Sequence, residues 1–338
     1  MRDRPVGLTE AELIAALTGG WGIEVDSAGY LPVGAGSYHW SMVDRRGTAW
    51  FVKVADLGFD GAGRDETFDR LGRSYDSALA LRREAGLDFV LAPVPSGTGA
   101  TLWRLTPRYA VSVFPMVAGA AGRFGAHRPE DRADLVDLLA ELHRATPVVA
   151  GLAPRADLVL PGRDQLREAL CNLDREWTGG PYGEPTRKLL SAHVGYVEGL
   201  LAEFDRRVER VRASVADWVV THGEPHPGNV MWTPDGLRLI DWDTVRIAPA
   251  ERDLWMLTGA LARMVGEDPV GDDEEILARY ARATGRTVTP AVLDLYPLWW
   301  KLADIAVYVD ALRRPHGTGE DITASLTYLT GYLESSPD

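Results

Sequence analysis

Thr221-His-Gly-Glu-Pro-His-Pro-Gly-Asn-Val-Met231, followed after one short hairpin by Leu239-Ile-Asp-Trp-Asp243, sets an acid, an amide and a second acid at fixed intervals. Glu224 and Asn229 are five residues apart, and Asn229 and Asp241 twelve. Such a trio suits phosphoryl transfer from a metal-bound nucleotide: one carboxylate orients the attacking hydroxyl, and two oxygen donors hold Mg²⁺ against the phosphates. Asn229 opens a strand, and Thr233-Pro-Asp-Gly236 is a tight turn into Leu237–Ile240. Asn229 and Asp241 therefore fall at neighbouring ends of one hairpin, close enough to share an ion. Asp243 is a nearby carboxylate, an extra metal ligand or a cap.

Working outward, Gly223, Pro225, Pro227 and Gly228 make residues 222–229 a constrained loop and not a helix. That disfavours His222 and His226 as a metal pair, which would need a shared helical face. His222 is expected to support the loop through bonds to the backbone. His226 could face a phosphate or the acceptor.

Only Lys53, Lys188 and Lys301 are lysines among the 36 basic residues, so a lysine inside an apolar strand calls for a reason. Lys53 stands within Trp50-Phe-Val-Lys-Val54, one hairpin after the turn Gly34-Ala-Gly-Ser-Tyr38. Amides around Gly34, Gly36 and Ser37 can approach phosphate oxygens because glycine adds no Cβ, while a strand lysine reaches them as a point charge. The turn is not a dinucleotide fingerprint: His39 stands where the third glycine would be needed, and no helix follows.

The rest of the chain predicts an α+β protein of two lobes. A short helix over 9–18 with Thr9 as N-cap and Gly19-Gly20 at its end precedes three strands, 22–30, 38–43 and 48–54, in an antiparallel meander. A helix follows over 66–85 with Gly86 as its C-cap, then strands near 89–94 and 109–114. Beyond Pro115 helical periodicity dominates, over 131–145, 163–177, 186–214, 251–265, 273–284, 290–312 and 322–333. The expected division is a β-rich nucleotide-binding lobe over 1–115 and a helical lobe over 116–338 that carries the catalytic loop and acceptor site.

Composition narrows the function. A formal net charge of −13 over 338 residues argues against nucleic acid and would welcome a cationic small substrate. No leader pattern and no apolar run of about 18 residues is present, so the expectation is a cytoplasmic protein that neither enters nor crosses a membrane. Cys171 is the only cysteine, which excludes an internal disulfide and predicts a buried or half-buried small side chain.

The motifs together resemble those of the aminoglycoside phosphotransferase family, whose fold is that of protein kinases. That family's loop runs close to H-G-D-x-H-x-G-N, then an I-D acid, then a helix opening with an acidic residue before Leu. Here these are His222–Asn229, Ile240-Asp241 and Arg252-Asp253-Leu254, and Leu138-Leu-Ala-Glu-Leu-His143 is similar to the helix after the family's hinge. The resemblance implies ATP or GTP and Mg²⁺ as cofactors. It implies Glu224 at the catalytic acid position, Asn229 and Asp241 as magnesium ligands, Lys53 on the phosphates and Asp253 as a brace for the loop. It also places the adenine at the hinge, bonded to the Pro115 carbonyl and the Val117 N–H, and asks for a helical acid beside Lys53, for which Asp76 or Glu84 are the candidates. One departure stands out: Glu224 replaces Asp, moving the carboxylate outward by about one C–C bond where about 1 Å of misplacement can cost about 100-fold.

Three functions remain in view. The first is a kinase acting on a hydroxyl of a small polar molecule such as an aminoglycoside or aminocyclitol antibiotic, its acceptor surface including Trp300 with Asp304 and Trp299 with Asp310. The second is a metabolite kinase for choline, a sugar amine or homoserine. The third is a degenerate kinase that binds nucleotide without transfer. Oligomeric state is not written in the sequence.

Overall fold

A computed structural model describes residues 1–58, 63–213 and 217–334. The chain forms two compact units, Met1–Ala156 with Asp217–Val288, and Asp157–Ala216 with Thr289–Asp338. Residues 115 and 116, the expected lobe boundary, both lie in the first.

The first unit is built on a five-stranded antiparallel sheet in the order β1-β2-β3-β5-β4. Its strands are β1 Val25–Leu31, β2 Ser37–Asp44, β3 Ala49–Asp56, β4 Trp103–Arg104 and β5 Tyr109–Pro115. The β2–β3 turn closes because Asp44 Oδ1 accepts from the Arg46 and Thr48 amides, each at 2.9 Å. Side chains alternate across the pleat. Trp40, Met42, Val52, Val54, Val111 and Val113 face one way and form a core with Leu13, Leu17 and Ile23. Each fully buried valine there contributes about 1.5–3 kcal/mol. On the other face, Ala55, Ala110 and Phe114 pack against Leu71 and Tyr75 of the helix Arg64–Arg83. Lys53 belongs to this second face, paired across the sheet with His39 on one side and Ser112 on the other.

Several boundaries move from expectation. Thr9 caps the first helix through a reciprocal bond with Glu12, but the helix runs from Glu10 to Trp21, through Gly19 and Gly20, and stops at Gly22. The second helix ends at Arg83 with Glu84 as cap, before Gly86. The strand expected over 89–94 is absent. Val90 makes one isolated parallel bridge to Leu239, and Val94 donates to Val113 O. Pro93 and Pro95 remove the donors that a continuous ladder needs, and β4 pairs with β5 instead.

Past the sheet, β6 Ala120–Ala121, β8 Val230–Thr233 and β9 Gly236–Leu239 form a three-stranded sheet in the order β6-β8-β9. Beside it β7 Val219–Thr221 pairs with β10 Arg246–Ala248. The helix expected over 251–265 is broken. Thr258 is extended and caps Gly259–Met264, whose first N–H donates to Asp273 Oδ2 at 2.9 Å. Helices Pro129–Arg144, Thr146–Val149, Glu251–Leu254 and Asp273–Thr284 also belong to this unit.

The second unit is helical among the described residues: Arg163–Cys171, Gly183–Ala192, Val194–Ala213, Pro290–Leu293, Leu295–Arg313 and Glu320–Glu334. The helix expected over 186–214 is thus two helices, and Ser214 lies outside the described residues. Cys171, expected at least half-buried, is exposed at a helix end. No helix of the described residues is long and apolar enough to cross a membrane.

Candidate active site

All the residues singled out around the Thr221–Asp243 segment, and Lys53, lie in the first unit. The loop is held by a buried carboxylate. Asp253 accepts the His222 amide at 2.9 Å, the Gly223 amide at 2.5 Å and His143 Nε2 at 3.0 Å. His143 Nδ1 in turn lies 2.7 Å from Tyr280 OH. Burial works to raise the Asp253 carboxyl, but the bond from His143 and the nearby Arg252 charge outweigh it and hold it below its ordinary value. His222 is fully buried, donates from Nε2 to Ile240 O at 2.8 Å and accepts the Glu224 amide on Nδ1 at 3.2 Å. Both ring nitrogens are spent on backbone, as expected, and burial keeps the ring neutral by pushing its pKa down.

Residues 222–229 are not an α-helix. Only Pro227–Asn229 makes a single 3₁₀ turn. A second clamp, which the sequence did not reveal, comes from the segment after β5. His127 Nε2 donates to Pro225 O at 2.8 Å, the Gly122 amide donates to Pro227 O at 2.9 Å, and the Phe124 ring meets His226 edge-on at 4.8 Å. No periodicity marks residues 120–127, so no pattern there could have announced the contact.

Asn229 is buried, and its Nδ2 donates to Glu224 O at 3.0 Å. Its amide oxygen is the atom suited to a cation. Asp241 adopts φ 68°, ψ 62°, a left-handed conformation unusual for a side-chain-bearing residue. Strain of this kind collects where a carboxylate must be aimed. Asp241 Oδ1 meets Lys53 Nζ directly, and Asp243 Oδ2 lies 2.7 Å from the same nitrogen. Lys53 is only 5% exposed. Burial would drive its pKa down, yet the two carboxylates reverse this and hold it well above the usual lysine value. Of the acids, Asp241 is pulled down by Lys53 against its own burial, while Asp243 is pushed up by burial and by Asp241. Glu224 is half-buried. Its carboxyl is pushed up to about 8 by burial, then by repulsion from Asp243 and Asp241.

The helical acid needs correcting. Asp76 accepts from Thr101 Oγ1 at 2.6 Å, and the carboxylates that meet Lys53 are Asp241 and Asp243. Glu84 is exposed beyond the helix end. The helix side chain near Lys53 is Tyr75, 1% exposed, with its ring edge-on to Phe114 at 5.8 Å. Adjacent helical residues diverge by about 100°, so Tyr75 facing the lysine turns Asp76 aside.

Gly34 and Gly36 sit at φ +66° and +79° in the β1–β2 turn, and Ser37 opens β2 as a buried residue. The turn is tied to the sheet by His39, whose Nδ1 donates to Val33 O at 3.0 Å. Pro115 ends β5, Met116 donates to Ala49 O at 3.2 Å, and Val117 is half-buried just beyond.

Among the described residues no three His, Cys, Asp or Glu side chains gather closely enough to cage a metal. An oxygen pair such as Asn229 and Asp241 still suits Mg²⁺, which keeps waters and substrate phosphates and takes one or two protein oxygens. The donor chemistry therefore fits that ion.

Comparison with known proteins shows the family. The family model described as "Phosphotransferase enzyme family" matches residues 41–296. Protein StrN of Streptomyces griseus is 31% identical over 323 residues, covering 92% of this chain and 87% of StrN. Aminoglycoside 3'-phosphotransferase of Streptomyces ribosidificus is 32% identical over 155 residues, which span 42% of this chain and 50% of that protein. The crystal structure of spectinomycin phosphotransferase in complex with ADP and spectinomycin superposes with a TM-score of 0.69 at 17% identity, covering 98% of this chain and 95% of the other. Because the family model matches residues 41–296, well over half of the chain, this chain belongs to the phosphotransferase enzyme family.

Proposed function

We propose that this protein transfers the γ-phosphate of Mg-bound ATP or GTP to a hydroxyl of a small polar acceptor, and that the acceptor is an aminoglycoside or aminocyclitol antibiotic. The observation that carries the reading is convergence: Lys53, Asp241 and Asp243 meet at one point, with Asn229 and Glu224 on the adjoining braced loop. Lys53 would bind the nucleotide phosphates, the amides around Gly34, Gly36 and Ser37 would cover them, and Pro115 and Val117 would hold the base. Asn229 and Asp241 would hold magnesium, which when bound neutralises charge on the phosphates. Glu224 would orient the acceptor hydroxyl and take its proton, and the burial and neighbouring acids that push its carboxyl up make it a stronger base than a free carboxylate. The antibiotic class draws support from the names of an aminoglycoside and a spectinomycin phosphotransferase among the similar proteins.

A panel of acceptors that includes aminoglycosides, spectinomycin, choline and homoserine tests this, read as nucleotide consumed with ATP and with GTP. Turnover should require an antibiotic acceptor and should vanish in Asp241→Ala. Full activity in that variant would sink the assignment. Glu224 in place of Asp favours one other reading, a nucleotide binder without transfer. Stabilisation by Mg-nucleotide with no turnover on any acceptor would establish it.

A further inference from the structure

We propose that Asp243, and not a helix carboxylate, is the positioning residue that holds Lys53 toward the nucleotide phosphates, which leaves Asp241 for the metal. The inference rests on the phosphotransfer reading above and deepens it. A buried ammonium requires a counter-charge, since unpaired burial costs several kcal/mol. The helix Arg64–Arg83 supplies none: Asp76 is engaged with Thr101, and the side chain it presents near Lys53 is the Tyr75 phenol, which burial keeps neutral by pushing its pKa up. Two carboxylates remain, both from the short turn Asp241-Trp-Asp243. They are not equivalent. Asp241 sits in the strained left-handed conformation and is the metal candidate with Asn229. A carboxylate engaged by a dication cannot also neutralise a lysine in full, so Asp243 at 2.7 Å is the partner that persists. Trp242 between them is fully buried and donates to Leu239 O at 2.7 Å, which fixes the separation of the two acids. Lysine and partner therefore belong to neighbouring strands and turns of one unit, and no helix has to swing in to complete the pair.

The test measures ADP binding calorimetrically at saturating Mg²⁺, then the Mg²⁺ concentration that half-saturates nucleotide binding, in Asp243→Asn, Asp241→Asn and Asp76→Asn. Asp243→Asn should weaken Mg-ADP by about tenfold or more, about 1.4 kcal/mol, with an unchanged Mg²⁺ requirement. Asp241→Asn should raise the Mg²⁺ requirement, and Asp76→Asn should alter neither quantity. Tyr75→Glu added to Asp243→Asn should recover Mg-ADP affinity by restoring a charge from the helix side. If Asp243→Asn alone melts, this double variant carries the comparison, and its failure to bind overturns the proposal. So does a raised Mg²⁺ requirement in Asp243→Asn, which would make Asp243 a metal ligand, or an equal loss in Asp76→Asn. Wild-type protein that binds no nucleotide would instead remove the phosphotransfer reading itself.

Discussion

Gly223 has φ +101°, and a Cβ built on it falls inside the guanidinium of Arg252. That guanidinium is not free to retreat, because it donates to Thr221 Oγ1 at 2.8 Å and to Thr244 O at 2.9 Å. Gly223→Ala should therefore displace the neighbouring Glu224 and lower kcat by about 100-fold, the scale set by about 1 Å of misplacement. Steady-state kinetics with a saturating acceptor checks this, and activity within about twofold of wild type contradicts it. Glu224 itself is embedded through its backbone, receiving Asn229 Nδ2 on its carbonyl and giving its amide to His222. With the backbone held in this way, shortening the side chain draws the carboxylate back from the position it now occupies. Glu224→Asp should lose about 100-fold in kcat. A gain in activity would mean that the wild-type loop is a silent binder.

At the scale of elements, what the sequence disclosed and what it hid follow from local versus nonlocal causes. The loop residues were legible because Gly, Pro, Asn and Asp act on their own backbone: the loop at Gly223–Gly228, the β8–β9 hairpin and the neighbouring placement of Asn229 and Asp241 all follow from them. Asp76 was misplaced because periodicity finds a helix more surely than its phase, and one residue turned the choice from Asp76 to Tyr75. Residues 89–94 are apolar enough for a strand, but Pro93 and Pro95 spoil the ladder. The clamp from His127 and Gly122 joins residues about a hundred positions apart and leaves no local trace. Among the helices, Leu295–Arg313 and Glu320–Glu334 enclose Asp304, which accepts from Tyr332 OH at 2.8 Å. Burial pushes its carboxyl up to about 6. The folded state then binds a proton that the unfolded chain has released above about pH 4. Stability through this group falls as pH rises from about 4 to about 6 and stays low above that window. Asp304→Asn keeps an acceptor for Tyr332 and removes the titration, so between about pH 4 and 6 its melting temperature should fall less, or rise more, than that of wild type. An unchanged slope would reject burial of an ionisable Asp304.

At the scale of the whole molecule, each compact unit is assembled from two separated segments, a grouping that no composition shift near residue 115 could signal. The proposed nucleotide residues all fall within one of them. Amide exchange measured with and without Mg-ADP should therefore show protection gained around residues 34–37 and 219–243, and no change there would contradict nucleotide binding at this site. Net charge acts at the same scale. With −13 on the chain, the long-range field attracts cations and repels anions. Its reach shrinks from about 30 Å at 0.01 M salt to about 10 Å at 0.1 M. If the acceptor is a polycationic aminoglycoside, its kcat/KM should fall over that range, mostly through capture, whereas an uncharged acceptor of the same site should hold its value. The Mg-nucleotide, itself anionic, should bind no more weakly as salt rises, since screening relieves the repulsion between like net charges. Measuring kcat/KM against ionic strength for a charged and an uncharged acceptor separates the two effects. Equal slopes for both acceptors would show that the acidic surface has no part in choosing the substrate.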